Sequence, residues 1–218
     1  NADNSRRTFD RVAMYGFAGW ISIVILDLKD KGGILMTYHV VFAADENYAG
    51  PLKVAVYSYS KHHRETSRIY VLHSFLSKET SHTLERIAGF FKNELVLIKV
   101  DDTRFANVRS HIDYISIATF YRYLIAELLP DVSQALYLDA DILVNRALNP
   151  LLNLSLQDCY AAGVLDRCIQ NQENSGYLKR VGMGALQRCY INAGVLFFNL
   201  DMIRENNLQE VFFQNDAK

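Results

Sequence analysis

The sequence predicts an α/β fold, an open and mostly parallel sheet with helices on both faces. Apolar runs of strand length alternate with segments of helical period from Tyr38 to Asn199. That alternation is the pattern of parallel strands joined by helical crossovers. Glycine, proline and short polar residues separate the two kinds of segment, as turns require. The stretch Ala135-Leu136-Tyr137-Leu138-Asp139-Ala140-Asp141-Ile142-Leu143-Val144 is of buried-strand type, yet holds two carboxylates one residue apart. A buried carboxylate without a partner is very costly. Either the strand ends at Asp139 and the acids sit in a solvated turn, or both acids serve a shared cation. Residues i and i+2 of an extended chain point the same way. A divalent metal carrying phosphate oxygens would then keep the two like charges together.

The elements follow in order. Tyr38 to Ala44 reads as the first strand, broken by Asp45-Glu46-Asn47-Tyr48. Gly50-Pro51 opens a helix, because proline in the first turn gives up an N–H that has no partner there. Leu52, Ala55, Val56 and Tyr59 recur at helical spacing and form its apolar face. Lys61-His62-His63-Arg64 is expected on a solvated surface, since adjacent histidines do not share a helix face. Arg68 to His73 is the second strand. Ser77 caps the next helix, which places Leu84, Ile87, Ala88 and Phe91 on one side. Leu95 to Val100 is the third strand, followed by Asp101-Asp102 in an expected solvated turn. Ser116 precedes a longer helix marked by Ile117, Tyr121, Leu124, Ile125 and Leu128, with Arg122 inside it and Pro130-Asp131 as its stop. After the acid-bearing strand, Asn149-Pro150 begins a turn and Tyr160 to Leu165 forms a short strand ended by Asp166. Gln170 to Gly184 is a polar loop or flap, Tyr190 to Asn199 the last strand, and Asp201 the cap of a terminal helix.

Composition excludes several classes. Half of the 218 residues are hydrophobic and 12% are aromatic, enough for a packed core and against general disorder. A net charge of −1 indicates no broad basic face for nucleic acid. Cys159, Cys168 and Cys189 fit neither a CxxC metal site nor a disulfide framework, and read as small core residues in a reducing compartment. The apolar part of Phe17 to Leu26 is too short to cross a membrane. No GxGxxG follows the first strand and no GxxxxGK[ST] occurs, so a dinucleotide fold is unsupported and a P-loop excluded.

Residues 1–35 differ from the rest. Ser5-Arg6-Arg7-Thr8-Phe9 resembles a twin-arginine export signal, but Asp10 and Arg11 follow at once and no small-residue cleavage site appears after Leu26. Lys31-Gly32-Gly33, just before Met36, is what a bacterial ribosome-binding site spells when translated in frame. Residues 1–35 are therefore expected to be a non-native or disordered extension, and 36–218 the functional domain.

Ligands of open α/β sheets bind at the carboxyl ends of the strands. Asp45, Asp139 with Asp141, and Asp166 all fall at such ends. With these residues assembled, the chain resembles glycosyltransferase family 8, retaining enzymes of GT-A fold (nucleotide-diphospho-sugar transferases). Within it, the bacterial lipooligosaccharide α-galactosyltransferases and related glucosyltransferases are most similar. Four ordered blocks carry the resemblance: Val41 to Tyr48, Ile115 to Arg122, the DxD motif Leu136 to Asp141, and Ile191-Asn192-Ala193-Gly194-Val195-Leu196-Phe197-Phe198-Asn199.

The resemblance implies a UDP-sugar donor, UDP-galactose or UDP-glucose, and an oligosaccharide acceptor on a lipid-linked surface glycan. It implies that Ala43 and Asp45 face the uracil, Asn47 the ribose, and that Ala140 sits between the metal-binding acids. Asp139 bridges sugar and metal, and Asp141 ligates the metal, Mn²⁺ or Mg²⁺. Arg122 pairs with diphosphate or a sugar hydroxyl, or else structurally with Glu127 or Asp113. Asp166 and Asn192 lie near the donor sugar, the latter also suited to a turn before Gly194. No carboxylate nucleophile is identified, which leaves a front-face mechanism assisted by the departing phosphate.

Family members continue with a second acidic block, a metal-binding histidine, a glycine-x-x-lysine segment and a basic, aromatic tail for peripheral membrane contact. None of these follows Asn199, so the chain is expected to be the donor-binding core of such an enzyme, incomplete at its C-terminus. The implied location is cytoplasmic, at the inner face of the bacterial inner membrane. The alternative is a non-catalytic nucleotide-sugar-binding remnant. A nucleotidyltransferase lacks support without a glycine-rich, lysine-bearing loop after the first strand. A purely structural role does not explain acids clustered at one sheet edge.

Overall fold

The computed structural model describes residues 12–16, 19–23, 37–106, 116–166, 176 and 190–216. β1 (Val12–Gly16) and β2 (Gly19–Ile23) form an antiparallel ribbon separate from the main sheet. The main sheet has six strands: β3 (Tyr38–Ala43), β4 (Ser67–His73), β5 (Glu94–Lys99), β6 (Gln134–Asp139), β7 (Ala161–Leu165) and β8 (Ile191–Asn199). Their order is β5-β4-β3-β6-β8-β7. The first four run parallel, and β8 runs antiparallel to both of its neighbours. The expected open, mostly parallel sheet is thus present.

Central strands read as unbroken apolar runs because both of their faces are buried. Alternate residues divide between two cores. Val40 and Phe42 of β3, Ile69 and Val71 of β4, and Leu136 and Leu138 of β6 face one layer. Val41, Tyr70, Ala135 and Tyr137 face the other. The first layer is covered by α1 (Ala49–His62) and α2 (Lys78–Phe90). Leu52, Val56 and Tyr59 of α1 are fully buried, as their spacing predicted, each stabilising by roughly 1.5–3 kcal/mol. Ser77 caps α2 by accepting from the Thr80 N–H at 3.1 Å. The second layer is covered by a 3-10 segment over Ile117–Leu124, by α3 (Ile125–Leu128), and by helices after β8. A short α4 (Asn149–Leu152) precedes β7, and α5 (Leu200–Glu205) and α6 (Leu208–Asp216) end the chain.

Several local expectations are corrected. The predicted helix after Ser116 is 3-10 for its first eight residues and α only over Ile125–Leu128. Thr119, Phe120, Tyr121 and Tyr123 are weak helix formers, and Arg122 Nε donates to the Thr119 carbonyl at 2.6 Å, competing with an α-helical donor. The turn expected at Asn149-Pro150 is a single turn of α-helix. Asn199, not Asp201, caps α5, accepting from the Met202 N–H at 3.1 Å, while Asp201 pairs with Arg204 at 2.5 Å. Asp101 caps its turn through Thr103, but Asp102 accepts the hydroxyl of buried Tyr121 instead of facing only water. Cys159 is buried as expected. Cys168 and Cys189 lie outside the described residues, as does the expected flap over 170–184 apart from residue 176. Among the described residues, no helix is long and apolar enough to cross a membrane.

His63 is the largest departure. It is buried and stacked on Tyr59 at 4.1 Å. Its Nδ1–H donates to the Tyr59 carbonyl at 2.8 Å and its Nε2 accepts the Leu148 N–H at 2.7 Å, which defines a neutral ring. Burial holds its pKa below the ordinary imidazole value, and burial lowers His39 and His73 in the same way. The unfolded chain therefore binds protons below about pH 6.5 that the folded chain refuses. Stability is expected to be full above that pH and to fall as pH drops toward the lowered folded values. Urea midpoints between pH 7.5 and pH 5.5 check this, and His63→Asn should flatten the slope as well as lower the midpoint.

Candidate active site at the sheet edge

Because β3, β6 and β7 run parallel, Asp45, Asp139 and Asp166 follow their strands at the same edge. β8 runs the other way, so its beginning rather than its end reaches that edge and brings Asn192, Ala193 and Gly194 to the acids. A cavity of about 560 Å³ opens there, within the range of small-molecule sites. Ala43, Asp45, Arg122, Asp139, Ala140, Asp141, Asp166 and Asn192 all line it. Asn47 does not; its side chain is exposed and its N–H donates to Asp45 Oδ1 at 2.9 Å.

Asp45 is anchored at both oxygens. Oδ1 caps the 3-10 turn Glu46–Tyr48, and Oδ2 accepts the Ser116 hydroxyl at 2.6 Å. This ties the end of β3 to the start of the 117–124 segment and fixes one wall of the cavity.

Asp139 is the last residue of β6, so the strand does not continue to Asp141. The Ile142 N–H closes a turn on the Asp139 carbonyl at 3.2 Å. The two acids therefore share the cavity through a turn, not through the i, i+2 geometry of an extended strand. Asp139 Oδ1 accepts the Tyr137 hydroxyl at 2.7 Å and Arg122 Nη2 at 3.1 Å. Tyr137 is buried, and its hydroxyl pKa is pushed up, first by burial and then by the Asp139 carboxylate; it stays a donor. Asp141 is exposed in the turn.

Arg122 is only 9% exposed. Its guanidinium lies over the Tyr137 ring at 4.6 Å, a cation–π distance. Besides Asp139 it donates to the carbonyls of Thr119 and Ala193. It thus clamps the end of β6 to the start of β8. The alternative partner Glu127 is taken by Arg104 in a two-bond pair at 2.7 and 2.9 Å, and Asp113 lies outside the described residues.

Asn192 makes the turn expected before Gly194 and also reaches Asp166. Oδ1 accepts the Gly194 N–H at 2.8 Å, an Asx turn, while Nδ2 reaches Asp166 Oδ2 at 3.4 Å. A Cβ at Gly194 would stand 2.6 Å from Asp139 Oδ2 and 2.9 Å from Asn192 Oδ1. Only glycine allows that carboxylate to rest against β8.

Tyr48, Ser116, Thr119, Tyr137, Tyr190 and Gly194 also line the cavity and were not singled out from the sequence. For Tyr137 a signal existed: it stands two residues before Asp139 on one strand, hence on the same face. Tyr190 and Thr119 carry no comparable sequence signal.

The site is oxygen-rich and anionic, with an arginine at its floor. Two carboxylates suit a hard divalent cation. Among the described residues, no group of three potential metal ligands occurs. A cation held by Asp139 and Asp141 would have to take its remaining ligands from the oxygens of a bound ligand or from other groups.

Comparisons with known proteins agree with this geometry. The solved structure of galactosyltransferase LgtC, in complex with donor and acceptor sugar analogs, is 34% identical with a TM-score of 0.69, over 77% of this chain and 59% of that one. The sheet is thus the expected GT-A fold. The lipopolysaccharide 1,2-glucosyltransferase of Escherichia coli is 27% identical over 180 residues, 81% of this chain and 52% of that protein. The lipopolysaccharide 1,3-galactosyltransferase of Salmonella typhimurium is 23% identical over 178 residues, 79% and 51% respectively. The chain spans about half the length of these two curated relatives. The model of glycosyl transferase family 8 matches residues 39–215, and the chain belongs to that family.

Proposed function

We propose that residues 36–218 form the donor-binding unit of a retaining hexosyltransferase, which moves galactose or glucose from UDP to a lipooligosaccharide or lipopolysaccharide acceptor. The observation that carries this is the placement of Asp139, oriented by Tyr137 and Arg122, beside Asp141 in a cavity that Asp166 and Asn192 also line. The names of the lipopolysaccharide glucosyl- and galactosyltransferases it resembles support the acceptor class and the sugar. Such an acceptor favours work at the inner face of the bacterial inner membrane.

Each residue has a task in this reading. Asp139 and Asp141 hold a divalent cation, Mn²⁺ or Mg²⁺, which when bound neutralises charge gathering on the departing diphosphate. Tyr137 and Arg122 fix the Asp139 carboxylate before the donor arrives, so that little reorganisation remains for the reaction. Ala43 and Asp45 border the uracil, and Asn47 approaches the ribose from outside the cavity wall. Asp166 and Asn192 hydrogen-bond the hexose and set its reacting carbon toward the acceptor.

UDP titration by calorimetry with and without Mn²⁺, followed by UDP-hexose turnover, tests the assignment. Cation-dependent UDP binding with turnover is expected. Binding without turnover assigns the chain as a donor-binding remnant. Absence of UDP binding overturns the proposal.

A further inference from the structure

We propose that the outer face of α1 and α2 docks on an anionic lipid surface. Three aromatic rings stand together there. Tyr57 meets Phe91 edge-on at 5.4 Å, and Phe91 meets Phe90 at 4.9 Å. Phe90 is 79% exposed, and Val54 and Tyr57, one turn apart on α1, are 54% and 46% exposed. A cavity of about 510 Å³ lies between the helices, lined by Tyr57, Thr83, Arg86, Ile87, Phe90 and Phe91. Clustered apolar exposure of this kind marks an interaction surface, whereas single exposed residues do not.

The charges around the rings identify the partner. Lys61 follows Tyr57 by one turn of α1, and Arg86 precedes Phe90 by one turn of α2. Lys92 directly follows the aromatic pair, in a left-handed conformation at φ 60 that ends the helix sharply. The result is an apolar tip ringed by cations, the composition that seats in the headgroup region of a bilayer. Glu79 begins the same stripe of α2 but at its far end, and Glu85 lies on another stripe, 3.7 Å from His82. α1, α2 and the Lys92 that follows hold five Lys and Arg against two Glu, in a chain whose net charge is −1. A second copy of the chain fits less well. A two-fold contact would press the same patch against itself, bringing Lys61, Arg86 and Lys92 toward a surface of like charge. α1 and α2 cover one face of the sheet while the active-site cavity opens at its edge, so docking leaves that cavity open.

Co-sedimentation of the intact chain with vesicles tests this, comparing phosphatidylcholine alone with phosphatidylcholine plus phosphatidylglycerol. Binding is expected only to the anionic vesicles and should weaken as salt rises. Arg86→Gln and Lys92→Gln should each lower the partition coefficient about five-fold, and Phe90→Ser should lower it at least as much. These side chains are exposed, and unchanged circular dichroism confirms folding. Equal binding to neutral vesicles, or binding unaffected by Phe90→Ser combined with Arg86→Gln, overturns the proposal. A concentration-dependent dimer abolished by Phe90→Ser overturns it in favour of a second copy. The readout is lipid binding, so its failure leaves the donor-site proposal standing.

Discussion

Asp139→Asn is expected to lower hexose transfer from a UDP-sugar by about 10²-fold or more, the effect of losing one preorganised charge at a reacting centre. The substitution keeps the shape of the side chain, and an amide oxygen can still accept from Tyr137 and Arg122. What it removes is the negative charge. Arg122, 9% exposed, then loses its ion-pair partner, so the melting temperature should fall as well. Asp141→Asn separates the two effects. Asp141 is exposed in a turn and forms no ion pair among the described residues, so cation affinity should fall while the melting temperature stays put. Tyr137→Phe should weaken Mn²⁺ binding by about 10–100-fold, as loss of an orienting partner does. Mn²⁺ titration and thermal melts read all three. Turnover that survives Asp139→Asn combined with Asp141→Asn overturns the metal-binding assignment.

Gly194→Val is expected to abolish donor binding and to destabilise the fold by about 1–3 kcal/mol through overpacking. The reason is distance. A Cβ there would sit 2.6 Å from Asp139 Oδ2 and 2.9 Å from Asn192 Oδ1. Both neighbours belong to the site, and both are held by hydrogen bonds that keep them from yielding. The Asp139 carboxylate must move, and Arg122 and Tyr137 must follow or lose it. Gly89 supplies the control. It lies inside α2, where a Cβ would meet nothing within 4 Å, so Gly89→Ala should stabilise by about 0.5–1 kcal/mol. Urea denaturation and UDP calorimetry on the two variants check the pair. Unimpaired UDP binding by Gly194→Val contradicts the packing of Asp139 against β8.

Most strands and the two long helices were legible because their signals are local. The unbroken apolar runs of β3 and β6 and the 3.6 period of α1 are written into consecutive residues. His63 was not legible. A histidine in a polar run looks solvated until α1 is packed against the loop that carries Leu148. Asp102 misled for the same reason, since Tyr121 arrives from a segment nineteen residues away. The 3-10 form of 117–124 depends on Arg122 reaching a carbonyl, Asp139 and β8 at once, which no local propensity encodes.

A layered α/β sheet with acids at the carboxyl ends of its strands is already written in the residue order. So is the family, because four motifs occur in order and each is contiguous. How the acids meet is set by packing. β6 stops at Asp139, β8 enters antiparallel and delivers Asn192 and Gly194 to the same edge, and Arg122 with Tyr137 holds one carboxylate oxygen. Strand direction and the approach of a glycine to a carboxylate are properties of the packed sheet. Neither leaves a period in the chain, and so neither could be read from it.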